Sequence, residues 1–273
     1  MIVDFHTHTL MSDGALSPSA LMERALAQGV QTLAITDHDT LAAYKSLSVP
    51  EGLEIVTGVE FSCVWSGVTV HIVGLNIDVN NPQLQTAVSE QEQAREERAE
   101  LIATRLEKRG MPDMLSAARA EAGERRALGR PDFARAMVAS GAVSNIQQAF
   151  NRYLGAGKIG DVKSSWPELE KVIAWIKDAG GVAVLAHPLH YKLTRAKLRR
   201  LIVAFIEAGG RAMEVANGRQ WTQQDLDYLR TSCRELGLMA SIGSDFHAEN
   251  RWTELGCDTA LVGDCVPVWQ SWQ

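Results

Sequence analysis

Residues 2–14 read IVDFHTHTLMSDG. The short apolar run Ile2–Phe5 suits a buried strand, and His6 and His8 follow at its C-terminal end. In extended backbone successive side chains alternate sides, so His6 and His8 share one side while Phe5 and Thr7 take the other. Two imidazoles side by side suit a metal ion far better than an apolar core. Asp13 adds a carboxylate a few residues later.

The same arrangement recurs along the chain. TLAIT (32–36) reads as a second buried strand and delivers His38, flanked by Asp37 and Asp39. LEIVTG (53–58) reads as a third and leads to Glu60, and EFSCVW (60–65) and VTVHIVGL (68–75) read as two strands joined by a Ser66-Gly67 hairpin turn, with His71 in the second. VAVLA (182–186) precedes His187, AMEVA (212–216) is a further strand, and LMASIG (238–243) precedes Asp245 and His247. Helical patterns lie between. SPSALMERALAQG (17–29) has Ser17 as its N-cap, Pro18 in the first turn and Gly29 as its stop, and others cover 168–181, 198–210 and 225–237. Strands alternating with helices imply a parallel sheet or barrel, whose functional face lies at the C-terminal ends of the strands. For any one histidine an ordinary core or surface imidazole is the simpler account. That account fails for six of seven histidines at equivalent positions, interleaved with Asp and Glu. Such mixed ligands suit Mn, Fe or Zn, and no cysteine lies near enough for a structural zinc site.

Bulk properties narrow the class. The chain has 273 residues, 46% of them hydrophobic, and a net charge of −6, which argues against broad non-specific nucleic-acid binding. No stretch approaches the roughly 20 apolar residues of a membrane span, and Asp4 and His6 interrupt any signal-like start. Cys63, Cys233, Cys257 and Cys265 are too scattered for a zinc ribbon or redox pair and read as buried thiols in a reducing compartment, so a cytoplasmic protein without membrane contact or obligate protein partner is expected. From Leu84 to Arg109 the pattern becomes one long charged helix, with more helical sequence to about Ser165. The expected organisation is a barrel of residues 1–76 and 166–273 carrying an inserted helical substrate-binding domain, 77–165. The insertion holds 13 basic against 12 acidic residues, the remainder 14 against 21. An Arg-bearing insertion on an acidic body is suited to holding anions.

The motifs DFHTHTLMSDG, TDHDT, GVEFS, HIVGL, AHP and GSDFH, in this order, resemble the PHP (polymerase and histidinol phosphatase) family across nearly the whole chain. The resemblance implies an α/β fold, a distorted (β/α)7 barrel with three divalent metal ions at its C-terminal face, Mn2+ foremost and Fe2+ or Zn2+ as alternatives. It implies that His6 and His8 bind a first ion with Asp245, and that Glu60 bridges to a second completed by His71 and His187. Asp13, His38 and His247 would hold a third. Asp4, Asp37 and Asp39 become candidate outer carboxylates, Asp39 for proton transfer or for a turn, and Asp245 and His247 serve catalysis as well.

Three divalent ions against so few carboxylates favour a phosphate as substrate. The expected reaction is phosphoester hydrolysis by metal-bound hydroxide, with no serine or cysteine nucleophile. The insertion, with RxERAELI, GRPxFARAMV and YLGxGK, is similar to a branch that cleaves nucleoside 3′,5′-bisphosphates and trims short 5′-phosphorylated RNA, including rRNA 5′ ends. Arg95, Arg98, Arg130 and Lys158 are the candidates for a second phosphate, with Arg135 and Arg152 nearby, although helical arginines also pair with surface Glu. Asp132, Asp161 and His190 depart from that branch and bear on substrate preference. A histidinol-phosphate phosphatase, a metal-dependent amidohydrolase and a non-catalytic PHP module are the rival readings. The complete ligand set speaks against the last of these.

Overall fold

In the computed structural model, residues 1–123, 127–163, 165–218, 222–249 and 253–272 are described. The strands are β1 (Ile2–Asp4), β2 (Thr32–Ile35), β3 (Glu54–Trp65), β4 (Val68–Leu75), β5 (Val182–Leu185), β6 (Ala212–Asn217), β7 (Met239–Gly243) and β8 (Cys257–Asp258). They form one sheet in the order β7-β6-β5-β4-β3-β2-β1-β8. The β1–β2, β2–β3, β5–β6 and β6–β7 pairs are parallel, while β4 runs antiparallel to both neighbours and β8 antiparallel to β1. The sheet curls so that its ends meet. The Phe5 N–H donates to the Ile242 carbonyl at 3.2 Å and the Asp245 N–H to the His6 carbonyl at 2.8 Å. The result is a nearly closed α/β barrel whose first seven strands lie in stretches the sequence reads as strands.

Around it lie α1 (Pro18–Ala27), α6 (Leu169–Asp178), α7 (Arg195–Glu207) and α8 (Gln223–Leu236), while α2 (Pro82–Glu107), α3 (Met114–Ala122), α4 (Arg130–Ala139) and α5 (Ile146–Ala149) follow the hairpin. The Ser17 hydroxyl accepts from the Ala20 N–H, so α1 starts at the expected cap. Side chains such as Phe61, Ile72, Ile176 and Phe205 fill the main core. A separate core of Ile102, Leu106, Phe133 and Met137 serves the helical region. The chain divides into two compact units, Met1–Val88 with Pro167–Gln273, and Ser89–Trp166. Ile77 and Leu84 sit in the core of the first unit, which is why it extends past the hairpin and into the first turns of α2.

One expectation is corrected. LEIVTG and EFSCVW are not two strands but one, β3, which pairs with β2 through Glu54–Thr57 and with β4 from Gly58 onward. Gly58 permits the changeover, since a Cβ there would lie 2.8 Å from the Thr36 methyl. The hairpin turn itself has positive φ at Ser66 and Gly67, as a two-residue turn between twisted strands requires.

Candidate metal centre

All nine candidate ligands converge at one end of the barrel. His6, His8, His38, His187, Asp245 and His247 follow parallel strands directly, and Glu60 and His71 reach the same end from within the hairpin strands. Because β4 is antiparallel to β3, with Ser62 opposite His71, the first half of β4 lies where the parallel strands finish. His71 is therefore mid-strand in sequence yet at the mouth in space.

Glu60 is the hub. It is fully buried, and its Oε2 lies 3.3 Å from His6 Nε2, 3.4 Å from His8 Nε2 and 2.9 Å from His38 Nδ1. Its Oε1 lies 3.0 Å from His71 Nδ1 and 2.9 Å from His187 Nε2. Asp245 Oδ1 stands 3.6 Å from His6 Nε2, 3.4 Å from His8 Nε2 and 3.6 Å from His247 Nδ1. Asp13 Oδ1 is 3.3 Å from His247 Nε2, and its Oδ2 is 3.9 Å from His38 Nε2. Three donor groups have ligand atoms within 4.8 Å of one another: His8, Asp13, His38 and His247; His6, His8 and Glu60; and His38, Glu60 and His71. Each pair of groups shares one residue. His8 and His38 do so by turning opposite ring nitrogens toward different neighbours.

Electrostatics fit the same picture. Burial opposes the charges on Glu60, Asp13 and Asp245, yet the surrounding imidazoles hold all three carboxyls well below their usual range. Burial, together with His247 and His38, pushes His8 down to about 3 and keeps it neutral. Burial lowers His247 as well, but Asp13 and Asp245 outweigh it and carry His247 up to about 10. Ring nitrogens of His6 and His8 point at each other across 3.1 Å, a contact that needs a shared proton or cation between two lone pairs. Imidazole nitrogens and ionised carboxylates facing inward form a donor set that fits divalent cations.

The outer shell is built from buried carboxylates. Asp4 accepts from the N–H groups of Ser244 (2.7 Å), Gly256 (2.8 Å) and His6 (3.3 Å), and burial raises its pKa to about 6. Asp37 accepts from the Thr9 N–H and from the hydroxyls of Thr9 and Ser12. The Asp39 carboxylate accepts from the Ser62 N–H at 2.7 Å and hydroxyl at 2.9 Å. Asp39, His187 and Asp245 all have positive φ, at 55°, 28° and 53°. Non-glycine residues in that region are uncommon, and three of them stand at this mouth. Gly243 allows a close approach: a Cβ there would lie 2.4 Å from His6 Cβ.

Sequence reasoning missed Glu214, whose carboxylate accepts from His6 Nδ1 and from the His187 N–H. Its signal was a lone carboxylate inside the apolar strand AMEVA. It also missed Trp166. In the helical unit, Arg95 and Arg98 are almost fully buried, with their guanidinium carbons 5.4 and 5.1 Å from the Trp166 ring centre. The Trp166 Nε1 is buried without an acceptor. Arg98 Nε donates to the Val162 carbonyl, and Arg130 lies 3.9 Å from Asp161 and donates to the Leu154 carbonyl. Lys158 stands exposed in the turn that follows. The departures are engaged elsewhere: Asp132 accepts from the Gly129 N–H and from Arg135, Asp161 from the Gly157 N–H and Lys163, and His190 stacks on His187 at 5.0 Å.

Fold and donor set together define a metal-binding α/β-barrel protein. The chain belongs to the PHP domain family, whose model matches residues 4–181. It is 44% identical over 271 residues to a protein of Haemophilus influenzae named 5′-3′ exoribonuclease, covering 98% of this chain and 97% of that one. It is 38% identical to a 3′,5′-nucleoside bisphosphate phosphatase of Chromobacterium violaceum, covering 98% and 95%. Among solved structures, one described as an amidohydrolase from Chromobacterium violaceum, with bound sulfate and no metal, superposes with a TM-score of 0.88 at 36% identity, covering 98% and 95%. No helix among the described residues is long and apolar enough to cross a membrane.

Proposed function

We propose that this protein is a metal-dependent phosphoesterase that removes the 3′-phosphate of nucleoside 3′,5′-bisphosphates and releases 5′-nucleotides from short 5′-phosphorylated RNA. The observation that carries the reading is the triangle of donor groups pairwise joined through His8, His38 and Glu60. It supports three ions held close together, with Mn2+ foremost and Fe2+ or Zn2+ as alternatives. His6, His8, Asp13, His38, Glu60, His71, His187, Asp245 and His247 would hold them. Bound there, divalent ions supply Lewis-acid polarisation of a phosphoryl group and activation of water at neutral pH.

The chain's own residues do the rest. Asp13, Glu60 and Asp245 place the ionised carboxylates, and Asp37 braces the turn that presents Asp13. Asp39 braces Ser62 on β3, and we assign it this role rather than proton transfer. In the helical unit 89–166, Arg95, Arg98 and the Trp166 N–H offer converging donors to a second phosphate, supplemented by Arg130 and Lys158. Asp132 and Asp161, already engaged by cations and backbone N–H groups, leave that role to the arginines. A bisphosphate and a 5′-phosphorylated RNA make the same demand on the protein, because the RNA presents its first 3′ phosphorus as a bisphosphate does. Four buried free cysteines support the cytoplasm as the compartment.

Purified protein with Mn2+ is expected to turn nucleoside 3′,5′-bisphosphate into the 5′-monophosphate and phosphate, and to shorten a 5′-phosphorylated trinucleotide from its 5′ end. Robust hydrolysis of histidinol phosphate with no turnover of the bisphosphate would overturn the assignment.

A further inference from the structure

We propose that Glu214 is a positioning residue that sets two metal donors at once: the tautomer of His6 and the backbone of His187. The inference rests on the metal-centre reading above. Glu214 lies on β6 and is buried. One carboxylate oxygen is 2.6 Å from His6 Nδ1, and the other accepts from the His187 N–H, also at 2.6 Å. A bulge directs it there. Glu214 pairs with Ser241 and Ala216 with Ile242, so Val215 is an extra residue in β6 relative to β7. Such bulges re-aim the adjoining side chains.

The His6 end of this bridge decides which ring nitrogen is bare. An acceptor at Nδ1 keeps the proton there and leaves the Nε2 lone pair facing Glu60, His8 and Asp245. At the other end, the His187 backbone has φ 28° and ψ 58°, a conformation an L-residue keeps only when its surroundings hold it. The Glu214 oxygen supplies that hold and thereby brings His187 Nε2 to 2.9 Å from Glu60 Oε1. One carboxylate thus couples donors that the sequence resemblance assigns to different ions.

Glu214→Gln exposes the coupling. The amide keeps the size but offers only one acceptor oxygen. If that oxygen serves the His187 N–H, the NH2 group faces His6 Nδ1 and drives the proton to Nε2, into the metal cluster. If it serves His6, the NH2 group confronts the His187 N–H and the left-handed turn loses its anchor. Either way one donor is lost.

The experiment is Zn2+ titration with metal analysis of wild type, Glu214→Gln and Glu214→Asp, alongside nitrogen-15 NMR of the histidines in Zn2+-loaded wild type. We expect Glu214→Gln to bind Zn2+ about 10–100-fold more weakly at one or more sites. Its metal-free melting temperature should stay near that of wild type. Glu214→Asp, shorter by one methylene and able to keep one partner, should fall between. In wild type the His6 proton should reside on Nδ1. Unchanged Zn2+ affinity and stoichiometry in Glu214→Gln would overturn the proposal, as would a His6 proton on Nε2, and the NMR result decides even where a variant fails to fold. If wild type itself binds neither Zn2+ nor Mn2+, it is the metal-centre reading that fails.

Discussion

Asp37 grips Thr9 twice, accepting from its backbone N–H at 2.7 Å and from its hydroxyl at 2.6 Å. A third bond, from the Ser12 hydroxyl, ties down the residue before Asp13. The loop between His8 and Asp13 therefore takes its shape from a carboxylate just beyond the end of β2. Asp37→Ala should weaken metal binding at the Asp13 group by about 10–100-fold. Asp37→Asn, which keeps one acceptor, should lose less. Metal analysis after dialysis against a weak chelator distinguishes them, and equal losses would show that only the charge matters.

Gly243→Ala tests the close approach of β7 to His6. The new methyl would sit 2.4 Å from His6 Cβ and 2.6 Å from its backbone nitrogen, so β1 must move. A cost of about 1–3 kcal/mol in urea denaturation is expected, together with loss of bound metal. Normal metal content in a destabilised variant would mean that His6 follows the shift without losing its reach.

Metal removal gives a direct readout of the donor set. Mn2+ at about 100 times its dissociation constant should stabilise the folded chain by about 2.7 kcal/mol per site. For a chain of this size that is a rise of roughly 5–10 °C in melting temperature, reversed by EDTA. No shift with Mn2+, Fe2+ or Zn2+ would contradict a preformed centre.

Asp132 belongs to the architecture of the helical unit. Replacing it with Ala removes the acceptor for the Gly129 N–H and the partner of Arg135. Hydrogen exchange at the first turn of α4 should speed up, corresponding to about 1–2 kcal/mol, while metal content stays unchanged. A variant that loses metal would instead place Asp132 in the chemistry of the centre.

The four thiols should be silent in the native protein. All are buried, and burial pushes Cys233 up to about 12 and raises Cys63, Cys257 and Cys265. A thiol whose folded pKa is raised holds its proton where the unfolded chain has lost it. Stability is therefore full below about pH 8.5 and falls as pH rises from there toward the folded values, by up to about 1.4 kcal/mol per pH unit for each thiol. Disulfide-exchange labelling at pH 8 should count no fast thiols before urea and four after it. Rapid native labelling at Cys257, at 8% the most exposed of the four, would be the first sign against this.

Much of the barrel was legible because its strands are apolar runs, most of them followed or interrupted by a polar ligand. The donors could be read as a set because they recur after strands, as His38 does after Thr32–Ile35. The merged strand β3 could not be read: its change of partner at Gly58 depends on which strand lies beside it, and a glycine before Glu60 looks like a stop. β8 is two residues long and carries no period at all. Glu214 was overlooked because its strand was read for apolar content, and its role depends on a bulge that only the pairing with β7 defines. Trp166 escaped because its partners, Arg95 and Arg98, lie a whole helical unit away in sequence.

The closure of β1 against β7 has a consequence for synthesis. His6 and His8 are translated first, whereas Asp245 and His247 follow on the order of 10–50 s later at ordinary elongation rates. Until then β1 has β2 beside it but lacks the carbonyl of Ile242 and the N–H of Asp245 that close the barrel. A nascent chain on the ribosome thus presents His6 and His8 without Asp245. Only completion of the last strands brings Asp245 and His247 to the donor set.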